Sequence, residues 1–132
     1  MNATLHTDGG ARGNPGPAGI GFVLAIKDQA KILHGSYIGE TTNNQAEYQA
    51  LVAGMKRAIE ENVSDLACFL DSELVVKQLK GEYKIKNEEL KPLAAQVNKL
   101  KRDFSAVTFT HVRREKNKEA DALVNQAIDR HV

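Results

Sequence analysis

The stretch Thr7-Asp8-Gly9-Gly10-Ala11-Arg12-Gly13-Asn14-Pro15-Gly16-Pro17-Ala18-Gly19 constrains this chain more than any other. Glycine and proline at this density forbid a helix, because glycine loses too much backbone entropy there and proline lacks the N–H donor. The residues before it, Ala3-Thr4-Leu5-His6-Thr7, alternate as a strand does. Asp8 is therefore expected where a strand stops, beside a turn bare enough for a large ligand to approach its backbone. A plain hairpin turn accounts for the glycines equally well. What decides is whether other acids converge on Asp8.

With 132 residues, the chain is expected to form one domain, 1–132, large enough for a continuous core. Its 42% hydrophobic and 27% charged content is ordinary for a globular protein. No apolar run approaches the roughly 20 residues of a membrane span. Met1-Asn2-Ala3-Thr4-Leu5 lacks the pattern of a secretory leader, so the cytoplasm is the expected location. A monomer is the expected state. The single Cys68 sits in the apolar run Leu66–Leu70, where a buried structural thiol is expected. A net charge of +1 is no global signature of a nucleic-acid binder, so any such role rests on local charge.

Taken in order, Ile20–Ile26 and Lys31–Ile38 read as strands that complete an antiparallel three-stranded start. The first helix begins after Thr42-Asn43-Asn44, and Glu47, Leu51, Met55 and Ile59 form its stripe with Tyr48 and Val52. Leu66–Leu70 is expected to be a strand buried on both faces, followed by a helix over 72–79. A further helix runs from about Glu89 to Arg102, with Pro92 near its start. Val107–Val112 is the last strand, and Asn117 caps a last helix with Ala120, Leu123, Val124, Ala127 and Ile128 on its apolar side. Lys77, Lys80, Lys84, Lys86, Lys99 and Lys101 form the most basic region, as a solvated face or a phosphate-tracking surface.

Four acids stand out, each with a plain alternative. Glu47 lies in the first turn of an apolar stripe, where it either complements the helix dipole or, facing the core, needs a cation. Asp71 ends a strand and is either a helix cap or a partner of Asp8 at one end of the sheet. Asp121 is a first-turn acid whose reading depends on the other three. His6 and His111 lie within strands and read as hydrogen-bonded or partly exposed side chains.

Four carboxylates in one place cannot all stay ionised without cations, and oxygen donors suit Mg²⁺ or Mn²⁺ better than zinc. Two such ions support in-line phosphoryl displacement, which points to phosphodiester hydrolysis. The glycine stretch lacks the Gly-Lys-Ser/Thr ending of a P-loop and misses the dinucleotide fingerprint.

The motifs Thr7-Asp8-Gly9-Gly10 with Gly13-Asn14-Pro15-Gly16-Pro17, Thr41-Thr42-Asn43-Asn44-Gln45-Ala46-Glu47, Asp71-Ser72 and Asn117-Lys118-Glu119-Ala120-Asp121 follow one another along the chain. In this set and order the chain resembles the type 1 ribonucleases H over nearly its whole length. The resemblance implies an α/β, ribonuclease H-like fold: a five-stranded mixed sheet in order 3-2-1-4-5, flanked by helices. It implies hydrolysis of the RNA strand of an RNA–DNA hybrid, with 3′-hydroxyl and 5′-phosphate products and two Mg²⁺ or Mn²⁺ ions. By the same resemblance, Asp8 bridges both ions, Asp121 completes the water-activating site, and Glu47 and Asp71 hold the ion facing the leaving oxygen. Gly9, Gly10, Asn14, Thr42, Asn43, Asn44, Gln45 and Ser72 match positions that contact the two strands.

The chain has no tryptophan and too few residues for the basic protrusion of many bacterial members, so it resembles the shorter branch. Fewer cationic contacts imply weaker, more salt-sensitive substrate capture. Where many members carry a loop histidine, this chain has Arg113-Arg114-Glu115-Lys116. Arg113 or Arg114 is the candidate to stand in, although arginine cannot serve as a general base. Two rival readings remain at the level of sequence: a nucleic-acid-binding module with negligible turnover, and a two-metal nuclease preferring another duplex such as double-stranded RNA.

Overall fold

A computed structural model describes residues 2–131. Strand β1 (Asn2–Ala11) is followed by β2 (Gly16–Ile26), β3 (Ile32–Thr41), helix α1 (Asn43–Glu60), β4 (Asp65–Leu70), α2 (Glu73–Leu79), α3 (Lys91–Lys101), β5 (Ala106–His111) and α4 (Lys118–His131), with a 3₁₀ turn at Arg114–Lys116. The sheet order is β3-β2-β1-β4-β5, as the family resemblance implies. β1 runs antiparallel to β2 and parallel to β4, so the sheet is mixed.

The strands at the glycine-rich stretch are longer than expected. Asp8 does not end β1: antiparallel pairing with β2 continues to Ala11↔Ala18, and the turn is reduced to residues 12–15. Gly9 and Gly10 are strand residues, because a strand needs backbone partners rather than side chains and β2 supplies them. What stops at Asp8 is the parallel pairing: the last β1–β4 pair is Thr7↔Leu70. Asp8 and Asp71 are thus the first residues beyond that pairing, at the mouth between two diverging strands.

The core lies between the sheet and α1, with α3 packed against α1. Leu5, Leu24, Tyr48, Leu51, Met55 and Cys68 are fully buried there. Helix α4 covers the other face over β1, β2 and β3. It sits close because β2 presents a glycine to it: a Cβ on Gly21 would lie 2.6 Å from the Ala120 carbonyl oxygen. β4 differs from expectation in being buried on alternate residues only, since α4 packs on β1, β2 and β3. His6 stacks on Phe69, ring centroids 4.9 Å apart, and partly covers that second face. No described helix is long and apolar enough to cross a membrane.

Helix ends follow local chemistry. Thr42 and Gln45 form a reciprocal capping box at the start of α1. Ser72, not Asp71, caps α2, its hydroxyl accepting from Val75 N–H. That releases the Asp71 carboxylate from a capping role. Pro92 lies in the first turn of α3, as expected.

Candidate active site

Three acids reach one point from three elements. Asp8 extends from β1, Glu47 from the first turns of α1, and Asp71 from the end of β4; one carboxylate oxygen of each lies within 4.8 Å of the others. Asp8 and Glu47 are buried, and Asp71 is half-buried. Glu47 is held by Gly9, whose N–H donates to its Oε1 at 2.5 Å. That contact requires glycine, since a Cβ on Gly9 would fall 2.2 Å from the Ala46 carbonyl oxygen. Asp121, in the first turn of α4, lies beside Asp8 and outside the tight group of three.

Crowding shifts the protonation of these groups. Burial first, and then the Asp71 charge, push the Asp8 carboxyl up to about 7. Burial and the charges of Asp8 and Asp71 hold Glu47 well above the usual carboxylate range, against the Gly9 hydrogen bond. Asp71 is raised by burial, while the Asn117 amide and the Arg114 charge act against it. Three hard oxygen donors that resist ionisation together are the donor set a small divalent cation would complete. The residues therefore fit Mg²⁺ or Mn²⁺.

An open cleft of about 440 Å³ surrounds the acids. Of the residues matched to strand contacts, Gly9, Gly10, Asn43, Asn44 and Ser72 line it. Asn14, Thr42 and Gln45 are not among the lining residues, and each makes a hydrogen bond near the start of α1. The Asn14 side-chain oxygen accepts from Asn43 N–H at 3.0 Å, and the Asn43 oxygen accepts from Ala11 N–H at 2.8 Å. These bonds tie the glycine-rich turn to α1. Thr42 and Gln45 are occupied with each other in the capping box, and Thr41 bonds the same Gln45 side chain.

The two loop arginines separate. Arg114 lines the cleft with Nη2 3.9 Å from Asp121 Oδ1, whereas Arg113 approaches Glu115 at 4.0 Å. His111 is exposed at the end of β5.

Asn117 has a side-chain partner that the expectation of a helix cap does not include. It stands immediately before α4, as expected of a cap, but its buried side chain donates to the Thr7 carbonyl at 2.8 Å. Its own carbonyl accepts from Asp121 N–H at 3.1 Å. The signal available in sequence was its spacing of four from Asp121, which also suits a cap. Arg12 and Asn125 were not singled out either, and both line the cleft.

Known proteins share this fold. The family described as reverse transcriptase-like matches residues 6–127. Ribonuclease HI of Halobacterium salinarum is 42% identical over 125 residues, covering 94% of this chain and 63% of that protein. The chain belongs to the type 1 ribonuclease H family. A bifunctional protein of Mycobacterium tuberculosis is 40% identical over 131 residues, 98% of this chain and 36% of that protein. This ribonuclease H-like chain thus spans only part of the length of these two relatives. Among solved structures, LC11-RNase H1 in complex with an RNA/DNA hybrid matches with a TM-score of 0.92 and 41% identity, over 98% of both chains.

Proposed function

We propose that the protein is an endoribonuclease that hydrolyses the RNA strand of RNA–DNA hybrids. The observation that carries this reading is the convergence of Asp8, Glu47 and Asp71 within 4.8 Å, with Asp121 alongside. It is supported by membership of the family and by likeness to LC11-RNase H1, which was solved on such a hybrid. Two Mg²⁺ or Mn²⁺ ions belong to the proposal, with Asp8 serving both, Asp121 the water side, and Glu47 and Asp71 the leaving-oxygen side. When bound, such a pair lowers the pKa of a water and stabilises charge on the leaving oxygen of an in-line displacement.

The chain's own residues set the geometry of that displacement. Water oxygen bonds to phosphorus, the P–O3′ bond breaks, and the 3′-oxygen leaves as a hydroxyl, so the downstream product carries the 5′-phosphate. Asp8 and Asp71 stand at the mouth between β1 and β4, fixed by the Thr7↔Leu70 pairing beneath them. Glu47 is locked by Gly9 N–H. The backbone of Gly9 and Gly10 lines the cleft, where its polar groups can meet 2′-hydroxyls in the wide minor groove, which distinguish RNA from DNA. Asn43, Asn44 and Ser72 offer neutral polar groups to the strands across the cleft. Arg114, beside Asp121, is the loop residue assigned to the site; its guanidinium favours a phosphate or the charge that develops on it. A single domain, a monomeric state and a cytoplasmic location complete the proposal.

Cleavage of matched RNA–DNA, RNA–RNA and DNA–DNA duplexes, with Mg²⁺, Mn²⁺ or chelator and Asp8→Asn as control, tests it. Selective metal-dependent cutting of the hybrid's RNA strand is expected. Binding without cutting in either metal would point to a non-catalytic module, and equal cutting of RNA–RNA to a different duplex preference.

A further inference from the structure

We propose that Arg12 forms a second phosphate subsite, for a phosphodiester of the cleaved strand beside the scissile one, and that Asp129 occupies this arginine until substrate displaces it. The inference rests on the reading of the cleft as a ribonuclease H site. The cleft does not end at the acids: it continues along α4, where Arg12, Val124, Asn125 and Ile128 line it. Among the described residues that line it, Arg12 and Arg114 are the only cations, set against Asp8, Glu47, Asp71 and Asp121. A polyanion that crosses this cleft meets favourable side-chain charge only there.

The backbone of Arg12 is fixed. Its N–H donates to the Pro17 carbonyl at 2.8 Å, and the neighbouring Ala11 N–H donates to Asn43 at 2.8 Å. Its side chain is held more loosely. Nη1 lies 2.6 Å from Asp129 Oδ1, with the two side chains 43% and 65% exposed, and Nη2 donates to the Asn125 carbonyl at 3.4 Å. An ion pair this open to water contributes little, so a phosphate can replace the carboxylate at small cost. A guanidinium has five N–H donors, and those left over suit bidentate contact with phosphate oxygens. Asn125 and Asp129 follow Asp121 by one and two turns of α4, roughly 6 and 12 Å along its axis. Arg12 is therefore displaced from the cutting point and serves a neighbouring phosphate.

The test is binding of a fluorescent RNA–DNA hybrid by anisotropy in Ca²⁺, across a KCl series, for wild type, Arg12→Ala, Asp129→Asn and the double variant. Arg12→Ala is expected to weaken binding roughly three- to tenfold and to reduce the slope of log K against log salt by about one. Asp129→Asn is expected to tighten binding a few-fold, and that gain should vanish in the Arg12→Ala background. An unchanged slope in Arg12→Ala would overturn the subsite. An equal gain from Asp129→Asn with and without Arg12 would overturn the competition, because it would reflect only the loss of a negative charge. Cleavage of the hybrid by wild type, measured in parallel, separates the two proposals: cutting with no Arg12 effect removes the subsite alone, and absence of both binding and cutting removes the function as well.

Discussion

The side-chain amide of Asn117 donates to the main-chain carbonyl of Thr7 at 2.8 Å, joining the entrance of α4 to the residue before Asp8. The same residue moderates Asp71 and accepts the Asp121 backbone N–H. One buried residue thus touches the supports of three of the four acids, Asp8 and Asp71 through its side-chain amide and Asp121 through its main-chain carbonyl. Asn117→Ala should leave the Thr7 carbonyl without this donor and cost about 1–3 kcal/mol of stability, read from the denaturant midpoint. Loss of the amide beside Asp71 should also weaken Mg²⁺ binding by calorimetry. Unchanged stability and Mg²⁺ affinity would remove this role.

Asp8→Asn should abolish metal-dependent cleavage while the circular dichroism spectrum stays unchanged. Because Asp8 is crowded by Asp71 and Glu47, the metal-free variant should melt no lower than wild type at pH 8. A collapsed fold, or retained cleavage, would contradict the assignment.

The metal-free protein should become more stable as pH falls from 8 towards 5. The folded-state pKa of Asp8, about 7, lies above its ordinary 3.8, so the folded form holds the proton more tightly. The resulting stability is complete below the ordinary value and is lost as pH rises through about 7; Glu47 and Asp71 shift in the same direction. Mg²⁺ competes with these protons, so it should raise the melting temperature more at pH 8 than at pH 5.5. Thermal melts in chelator and in Mg²⁺ at both pH values measure this, and Asp8→Asn should flatten the metal-free dependence.

Gly21→Ala should act on Asp121 from a distance. The new Cβ would lie 2.6 Å from the Ala120 carbonyl oxygen, so the first turn of α4 must shift and carry Asp121 with it. A destabilisation of about 1–3 kcal/mol and a fall in kcat are expected. For stability, Gly10→Ala is the control, because its Cβ would meet only Val124 Cγ1, at 3.8 Å.

Arg114→Ala should slow turnover by about tenfold, whereas Arg113→Ala should stay within about twofold, as expected if only the first guanidinium stabilises charge in the site. Arg114 stands 3.9 Å from Asp121, and Arg113 turns to Glu115. Single-turnover rates at saturating enzyme would distinguish them, and equal effects would count against the assignment.

Much is legible in residue type and spacing. The four-residue spacing of Glu47, Leu51, Met55 and Ile59 marked α1, and Asp8 and Asp71 were read as neighbours at one end of the sheet. Where the reading failed, local chemistry had two equally good outcomes. Asn117 has the side chain of a cap, yet it serves a carbonyl distant in sequence. Asp71 also suited a cap, but Ser72 took that place and left the carboxylate free. Gly9 and Gly10 looked like loop, and pairing with β2 made them strand.

Residue type and order alone determined that this chain carries four acids of the ribonuclease H pattern on alternating strands and helices. Tertiary structure decided which side chains face the cleft. Thr42, Gln45 and Asn14 hydrogen-bond around the start of α1, while Arg12, Arg114 and Asn125 line the cleft. The reason is physical: a side chain's chemistry is local, but which partner it meets depends on backbone brought together from distant parts of the chain. Here that approach is set by a parallel pairing that stops at Thr7↔Leu70 and by a helix settled onto Gly21.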